Sequence, residues 1–311
     1  MKRLLITGAA GFMGRAFIRY FSQKNWEIYG IDRVAVENAG MTELKEYAAI
    51  TLPNPRLEEL LTTWRPDACI HAAGQASVPK SMTDPASDYS DGPALTFTVL
   101  DAIHRCSPDC QFVHLSSAAV YGNPSILPVN EEQAPHPISV YGYHKWQSEI
   151  ICEEFAALFG LRTISARLFS AYGPGLRRQV LWDLTNKALT QNTVILQGHG
   201  SESRDFINVL DIARALDRIL DKAPMKGEAI NVASGEETKI ADLARLIIKN
   251  IDHPVTLKFS EQLPSGTPTN WRADIAKISL LGFAPEITLQ TGVDAFVEWC
   301  KHEADRYQEK L

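Results

Sequence analysis

The stretch Leu4-Leu5-Ile6-Thr7-Gly8-Ala9-Ala10-Gly11-Phe12-Met13-Gly14 decides the fold of this chain. Its apolar start predicts a buried strand, its glycines a tight turn, and the residues that follow keep an apolar face at helical spacing. Gly8 permits the turn, Gly11 leaves room for a pyrophosphate, and Gly14 lets helix and strand pack closely. The first N–H groups of the helix then point at the anion. The spacing Gly-x2-Gly-x2-Gly differs from the commoner Gly-x-Gly-x2-Gly, so a glycine-rich connection without a ligand is the alternative.

A carboxylate closes the second predicted strand. Residues Trp26 to Ile31 form that strand and complete a strand–helix–strand unit. Asp32 follows about 20 residues after the glycines, where a carboxylate can accept both ribose hydroxyls of an adenosine and repel a 2′-phosphate. NAD is therefore favoured over NADP as the cofactor. Arg33 leaves room for NADP, and a solvated turn aspartate is the alternative interpretation.

Composition limits the class of protein. The chain has 311 residues, of which 45% are apolar and 22% charged, so one large α/β core with a second lobe is expected. A net charge of −6 supplies no basic field for nucleic acid or an acidic membrane surface. The five cysteines are scattered and match no ligand pattern, which predicts a cytoplasmic protein without a metal site.

The next elements continue the alternation of strands and helices. Residues 48–51 are predicted as a third strand, residues 55–64 as a helix, and residues 67–74 as a fourth strand. The fourth strand ends in Ala72-Ala73-Gly74, small residues that suit a backbone lying against the cofactor. His71 lies inside this strand and is interpreted as core packing rather than as a catalytic base.

A polar segment separates the fourth strand from the next helix. Gln75 to Pro93 carries prolines and is predicted as a loop long enough to cover a site. Gln111 to Ser117 is the fifth predicted strand. It delivers Ser116 and Ser117 to the carboxyl edge of the sheet, where ligands bind in open α/β folds.

A helix beginning near Ser139 carries a tyrosine and a lysine four residues apart. Tyr141 and Lys145 share one helix face. A neighbouring ammonium and a positive nicotinamide ring would both favour the phenolate of Tyr141, which would then exchange a proton with a sugar or alcohol hydroxyl. The Ser117 hydroxyl would hold the reacting oxygen. Separately, the tyrosine could be a core anchor and the lysine a solvated side chain.

These elements together predict an α/β protein with a Rossmann-type doubly wound parallel sheet and a smaller C-terminal α/β substrate lobe. Residues 1–168 are assigned to the cofactor-binding domain and residues 169–311 mainly to the lobe. A segment near 228–233 is expected to rejoin the large sheet. The last helix, from Leu289 to about Tyr307, is expected to close the lobe.

The sequence resembles the extended short-chain dehydrogenases/reductases that act on nucleotide sugars, over essentially its whole length. The resemblance implies that Ser117, Tyr141 and Lys145 are catalytic. The motifs that carry it are Thr7-Gly8-x2-Gly11-Phe12-x-Gly14, Ser116-Ser117-Ala-Ala-Val120-Tyr121-Gly122, Tyr141-x3-Lys145, Arg167-Leu-Phe-Ser-Ala-Tyr172-Gly173-Pro174 and Arg204-Asp205-Phe206-Ile207.

The turn, the strand ends and the catalytic pair together define the expected cofactor site. The residues expected to contact the cofactor are Gly8, Gly11, Phe12, Met13, Gly14, Asp32, Arg33, Ala72, Ala73, Gly74, Tyr141 and Lys145.

The sequence identifies part of the expected reaction. Family dehydratases and decarboxylases carry an acidic group just after the catalytic serine or threonine, whereas this chain has Ala118 and Ala119. Hydride and proton exchange at sugar C4 is therefore expected, as in a 4-epimerase resembling UDP-glucose 4-epimerase. Gln75 and the segment Asn231 to Gly235 resemble reductases of 4-keto-6-deoxy sugars, which is the second hypothesis. A non-catalytic nicotinamide sensor is the third.

The expected substrate is a nucleotide-diphosphate sugar, which needs positive donors for its phosphates. Arg204 is the first candidate and Arg272 the second, although either could be a surface ion-pair partner of a nearby aspartate. Arg177 and Arg178 are weaker candidates, and Gln75 and Ser117 complete the expected substrate contacts.

The resemblance also implies a homodimer, because family members usually pair through two helices of the large domain. The helix of Tyr141, with Ile150, Ile151 and Phe155, could supply such a face, and core packing explains the same residues equally well.

Overall fold

Thirteen strands are seen in the computed structural model, which describes the backbone of residues 1–35, 43–263 and 266–308 and their side chains up to residue 303. In chain order they are β1 (Lys2–Thr7), β2 (Trp26–Asp32), β3 (Glu46–Ala49), β4 (Ala68–His71), β5 (Gln111–Ser117), β6 (Thr163–Leu168), β7 (Ser170–Tyr172), β8 (Thr193–Leu196), β9 (Ser203–Arg204), β10 (Phe206–Asn208), β11 (Lys226–Val232), β12 (Thr238–Lys239) and β13 (Thr256–Phe259).

The helices within the same ranges alternate with these strands. They are α1 (Phe12–Phe21), α2 (Arg56–Trp64), α3 (Val78–Thr83), α4 (Pro85–Tyr89), α5 (Leu95–Cys106), α6 (Val140–Phe159), α7 (Gln179–Thr190), α8 (Val209–Lys222), α9 (Ile240–Ile248), α10 (Ala276–Ser279) and α11 (Leu289–Gln308). A π-helical turn, Ser90–Ala94, joins α4 to α5, and a 3₁₀ turn, Ala118–Tyr121, follows β5.

A parallel sheet of seven strands in the order β11-β6-β5-β4-β1-β2-β3 forms the centre of the molecule. On one side of β1 the sheet extends through β2 and β3, and on the other side it extends through β4, β5, β6 and β11. The carboxyl ends of β1 and β4 therefore form the switch point where open α/β sheets bind ligands. This sheet confirms the predicted fold class.

Helices cover both faces of the sheet because successive strand residues point to opposite sides. Leu4 and Ile6 are fully buried against α1 and α8, whereas Leu5 between them is buried against α2, α5 and α6. The lobe has a separate core, in which α7, α9 and α11 pack on β8 and β13. From the lobe the chain returns to the large sheet as β11, the edge strand beside β6. The division at residue 168 stays a prediction.

The structure of the segment from Gln75 to Pro93 differs from the prediction. It was expected to be a loop, but it contains α3, α4 and most of the π-helical turn. Ser77 and Asp84 cap the two short helices by accepting hydrogen bonds from backbone N–H groups, and each helix has a proline in its first turn. Prolines that suggest a loop are tolerated there because those N–H groups lack helical partners.

The other boundaries moved little. The third strand occupies Glu46–Ala49 rather than residues 48–51, and the fourth ends at His71 rather than at residue 74. Within the described ranges, no helix combines the length and apolar composition that a bilayer span requires. The side chains described there also form no cluster of three or more metal-ligating residues.

A buried carboxylate joins the lobe to the sheet. Asp205 is 0% exposed and accepts hydrogen bonds from the Ser234 N–H and hydroxyl (2.8 and 2.7 Å), the Gly235 N–H (2.9 Å) and the Ala273 N–H (3.2 Å). Three chain segments that are distant in sequence thus converge on one side chain. Its removal would take the acceptor away from four donors, of which the Ala273 N–H is buried and the other three are half-buried.

We expect Asp205→Ala to lower the free energy of unfolding by about 3 kcal/mol, since four hydrogen bonds to a carboxylate are lost and the buried Ala273 N–H is left unpaired. Chemical denaturation followed by circular dichroism would measure this loss. Asp183→Ala, which removes an exposed partner of Lys187, is the control and should change stability by less than about 0.5 kcal/mol. Equal denaturation midpoints for Asp205→Ala and the unmodified chain would contradict the expectation.

Candidate active site

The glycine turn lies at the carboxyl end of β1 and leaves no space for side chains. Gly8 has φ +70°, and a Cβ there would lie 2.6 Å from the backbone of Ala72 and Ala73. A Cβ at Gly14 would lie 2.3 Å from the Gly8 carbonyl oxygen. Helix α1 starts immediately after Gly11 without a side-chain cap, so its first N–H groups face the turn. This backbone cradle fits the pyrophosphate of a dinucleotide.

Asp32 is fixed beside the glycine turn. Its carboxylate accepts hydrogen bonds from the Ala10 N–H (2.9 Å) and the Val34 N–H (3.2 Å). These bonds hold the acid at the end of β2 next to the cradle, whereas the neighbouring Arg33 is exposed. The arrangement fits the ribose-binding role that the sequence predicts for Asp32, and that role stays a prediction.

The end of β4 is tied to the end of β1. The Ala72 N–H donates to the Thr7 carbonyl (3.1 Å), and the Ala73 N–H donates to the Thr7 hydroxyl (3.2 Å). The same hydroxyl lies 2.8 Å from His71 Nδ1. Burial lowers the pKa of His71 to about 3, so this imidazole is a neutral part of the core. A Cβ at Gly74 would lie 2.8 Å from the Asp91 carbonyl oxygen.

Ser117 and Tyr141 meet at the carboxyl end of β5. The Ser117 hydroxyl is close enough to the Tyr141 phenol to act in the direction of lowering its pKa, and the Ala119 N–H donates to the Ser117 hydroxyl (3.1 Å). Tyr141 is in the first turn of α6, and its backbone N–H donates to the Ser81 hydroxyl (3.0 Å). The two residues that the sequence assigned to proton transfer and oxygen positioning therefore occupy one site.

Lys145 lies one helical turn below Tyr141 and points to the sheet. Its ammonium donates to the Leu115 carbonyl (2.8 Å) and lies 5.8 Å from the centre of the Tyr141 ring. Burial lowers the pKa of Lys145 to about 8, against the opposing effect of the Asp88 and Glu149 carboxylates.

The pKa of Tyr141 differs from the sequence-based expectation. Lys145 was expected to draw it down, but burial raises it. The groups that act in the lowering direction are the Ser117 hydroxyl and the charge of Arg178, and the Asp88 carboxylate acts in the raising direction. The expectation counted the favourable effect of two cations, Lys145 and the nicotinamide ring, and left out the cost of placing a phenolate in a buried site.

A buried ion pair lies beneath this site. Glu149 of α6 accepts hydrogen bonds from the Arg167 guanidinium of β6 (2.7, 3.0 and 3.2 Å) and from the Ser116 hydroxyl of β5 (2.5 Å). Arg167 also donates to the Tyr121 hydroxyl (2.8 Å), which in turn donates to Asn231 of β11 (2.8 Å). Three strands and the helix of Tyr141 are thereby fixed relative to one another.

The predicted substrate arginines occupy different surroundings. Arg204 donates to the carbonyls of Ser203 (2.7 Å), Pro268 (2.8 Å) and Thr269 (3.1 Å), and its guanidinium lies over the Trp271 ring. These bonds anchor the backbone of residues 268–271 and use donors that a phosphate would need. The prediction that Arg204 contacts the substrate remains a prediction.

The remaining candidates differ in position. Arg272 is exposed and donates from Nε to the Gly235 carbonyl (3.0 Å), and Arg177 pairs with Glu303 over the Trp299 ring. Arg178, ranked lowest with Arg177, is close enough to Tyr141 for its charge to lower the pKa of that phenol. Gln75 lies partly buried just after β4, where its amide oxygen accepts the Ala76 N–H (3.1 Å).

The sequence analysis missed two residues near Tyr141 and Lys145. Asp88 of α4 is 3% exposed and lies 2.6 Å from Nδ1 of His144, the residue before Lys145. The two are 56 positions apart, and Asp88 falls in the segment that the sequence predicted as a loop. His144 lies within the tyrosine–lysine motif, but nothing in the neighbouring sequence identifies Asp88 as its partner.

The position of Asp32 generates a test of cofactor choice. We expect Asp32→Asn to lower the ratio of NAD to NADP affinity by about tenfold, or about 1.4 kcal/mol, because the amide no longer repels a 2′-phosphate. Titration of both dinucleotides against the unmodified and variant proteins measures the ratio. Glu27→Gln, an equal charge change at the opposite end of β2, is the control. An unchanged ratio in Asp32→Asn would remove Asp32 from the ribose site.

Known proteins resemble this chain over nearly its full length. The putative UDP-glucose 4-epimerase of Methanocaldococcus jannaschii is 28% identical, with 96% of this chain and 98% of that protein covered. The GDP-6-deoxy-D-mannose reductase of Pseudomonas aeruginosa is also 28% identical, with coverage of 96% and 97%. The crystal structure of UDP-glucuronic acid 4-epimerase from Bacillus cereus, with UDP-glucuronic acid and NAD, has a TM-score of 0.88 at 26% identity, covering 97% of this chain and 99% of that one.

The model of the NAD dependent epimerase/dehydratase family matches residues 4–233, which include the glycine turn, Ser117, Tyr141 and Lys145. This match confirms the predicted family resemblance and enzyme class. NAD, predicted from the glycine turn and Asp32, is the cofactor of that family and is present in the Bacillus cereus structure. The chain belongs to the NAD-dependent epimerase/dehydratase family.

Proposed function

We propose that this protein is an NAD-dependent 4-epimerase of a nucleotide-diphosphate hexose. The observation that carries the proposal is the placement of Ser117 beside Tyr141 at the carboxyl edge of the same sheet whose strand β1 ends in the glycine cradle. Proton exchange at an alcohol carbon needs a phenol and a hydroxyl at one point. Cofactor binding needs the cradle within reach of the same edge.

The roles of the three residues follow from their positions. Tyr141 takes the proton of the sugar hydroxyl and gives it back, and Ser117 holds the oxygen while the proton moves. Lys145, anchored on the Leu115 carbonyl, places a positive charge beneath the phenol. When bound, NAD accepts a hydride from the same carbon and can return it to either face of the keto sugar.

The absence of an acid after the serine restricts the reaction. Ala118 and Ala119 lie in the 3₁₀ turn after β5 and are buried, with exposures of 0% and 7%. These two positions therefore carry no carboxylate that could act on the sugar beyond C4. By resemblance, a family dehydratase requires such a carboxylate. Exchange at one carbon is the reaction that this set of side chains supports.

A reductase of a nucleotide 4-keto-6-deoxy sugar is the second candidate. It would use the same three side chains in one direction, with NAD(P)H consumed in each turnover. The full-length similarity to the Pseudomonas aeruginosa reductase favours it, and so does Gln75 after β4. The arrangement of Asp32 beside the turn supports the epimerase, because an epimerase reoxidises its own NADH and needs no NADPH.

For the substrate, we propose a nucleotide diphosphate sugar with Arg178, Arg272 or Arg204 as phosphate or sugar contacts. Relatives are named for UDP and GDP sugars, and the Bacillus cereus neighbour holds UDP-glucuronic acid. Arg178 is placed best, because its charge reaches Tyr141.

A panel of nucleotide hexoses and nucleotide 4-keto sugars separates these candidates. An epimerase interconverts two hexoses with no net change in nicotinamide absorbance, whereas a reductase consumes NADH or NADPH in proportion to product. We expect the first outcome, with products identified by chromatography. Turnover of neither class would contradict both candidates and leave the sensing role.

Tyr141→Phe distinguishes an enzyme from a nicotinamide sensor. We expect kcat to fall by about 100-fold to 10,000-fold, the usual contribution of a general acid–base group, while NAD affinity is retained. Tyr143→Phe removes a hydroxyl two residues away on an exposed face and serves as the control. Unchanged turnover in Tyr141→Phe would refute its assigned role.

We also propose a homodimer that pairs through α5 and α6. The predicted face must be revised, because Phe155 is 2% exposed and lies in the core, beneath the rings of Phe97 and Phe159. The apolar side chains exposed on these helices, between 46% and 71%, are Phe97, Tyr143, Ile150, Leu158 and Phe159. Exposed apolar side chains on neighbouring helices are typical of a surface that another molecule covers, and a second copy fits the family.

All five cysteines are free, which supports the proposed cytoplasmic location.

Leu158→Glu tests this dimer. Leu158 is 71% exposed within the apolar face, so a carboxylate there would be buried unpaired in the interface. We expect the variant to elute with half the mass of the unmodified protein in light scattering at the same concentration. Leu280→Glu, at an 87% exposed leucine outside this face, should leave the mass unchanged. A dimer that persists in Leu158→Glu would exclude this face.

A further inference from the structure

Asp88 is a buried carboxylate to which the proposed reaction assigns no role. It is 3% exposed, and one of its oxygens, Oδ2, lies 2.6 Å from His144 Nδ1. The other oxygen, Oδ1, is buried and has no hydrogen-bond partner among the residues that the structure describes. A half-satisfied buried carboxylate is costly and needs an electrostatic reason to be there.

The position of Asp88 is fixed from several sides. It belongs to α4, a helix of five residues that packs on α6 and whose N-terminus is capped by Asp84. The ring of the next residue, Tyr89, makes an edge contact with the His144 ring at 5.5 Å between centres. His144 directly precedes Lys145 on α6. The bond to His144 therefore holds the carboxylate against the helix that carries Tyr141 and Lys145.

The charges around the catalytic pair give the carboxylate its effect. Glu149, the other carboxylate near Lys145, already has the Arg167 guanidinium as its partner. Burial keeps His71 and His114, which face Lys145 from the sheet, in the neutral form by lowering the pKa of each. The titratable and charged groups facing the pair are Asp88 from α4, Glu149 and Cys152 from α6, His71 and His114 from the sheet, and Arg178 before α7.

We propose that Asp88, oriented by His144, is a positioning residue that keeps Lys145 in its ammonium form beneath Tyr141. The proposal rests on the proposed roles of Tyr141 and Lys145. The negative charge of Asp88 compensates the buried ammonium and, through the same field, opposes formation of the phenolate. Asp88 thus raises the pH at which each of the two groups loses its proton.

Asp88→Asn tests this role through the pH dependence of kcat. Loss of one negative charge favours deprotonation of both groups, so the two limbs of the profile assigned to Tyr141 and Lys145 both move to lower pH. We expect a shift of about one pH unit for each limb, the scale of one nearby charge. Asp84→Asn is the matched control, because it removes an exposed charge from the same helix and keeps an N-cap. It should leave both limbs in place.

Variants of His144 separate orientation from packing. His144→Gln can still donate to Asp88, so both limbs should stay at the pH values of the unmodified enzyme. His144→Leu cannot donate, so the carboxylate loses the bond that holds it against α6 and the profile should move in the same direction as in Asp88→Asn. A lower kcat in Asp88→Asn with unmoved limbs would show a merely structural role and overturn the proposal.

Direct titration of the phenol makes the test independent of turnover. The phenolate absorbance of Tyr141 is the difference between the unmodified protein and Tyr141→Phe, measured again in the Asp88→Asn background. We expect its midpoint to fall in Asp88→Asn whether or not a substrate is found. If the phenolate midpoint shifts in Asp88→Asn but no sugar of the panel is turned over, only the proposed function is refuted. If the midpoint does not shift, the role of Asp88 is refuted.

Discussion

The ion pair between Glu149 and Arg167 is the constraint on which the site depends. Glu149 is on the helix that carries Tyr141 and Lys145, and it bonds to Ser116, the neighbour of Ser117. The carboxylate of Glu149 thus fixes the position of Tyr141 relative to Ser117. Breaking a buried pair by removing one partner typically costs about 3–5 kcal/mol. That cost opposes any displacement of α6 from the sheet.

Much of the fold could be predicted because its signals are local. The glycine turn, the apolar strand starting at Leu4 and the tyrosine–lysine spacing each lie within a few residues of chain. The segment after β4 was mispredicted, since its helices are only five and six residues long and are held by caps and by packing on α6. Apolar periodicity cannot be read over so few residues, and prolines in a first turn resemble those of a loop.

The parts of the site that the sequence could not predict depend on contacts between distant segments. Arg204 has the chemistry of a phosphate ligand, but its donors go to carbonyls about 65 residues away. Phe155 has the spacing of an exposed stripe, but Phe97 of the neighbouring helix covers it. Asp88 and His144 meet across 56 residues. Residue type and spacing identify candidates, whereas the partner that a side chain meets in the fold decides its role.

The protonation of the catalytic pair is a balance that no single neighbour determines. Burial opposes both charged forms, because it raises the pKa of Tyr141 and lowers that of Lys145 to about 8. Ser117 and Arg178 act against this effect at the phenol, and Asp88 and Glu149 act against it at the ammonium. The positive nicotinamide of the family's cofactor would add its charge on the side of the phenolate. A positive cofactor ring in the glycine cradle would therefore favour the proton exchange proposed for Tyr141, and this would tie that residue to the first fourteen residues of the chain.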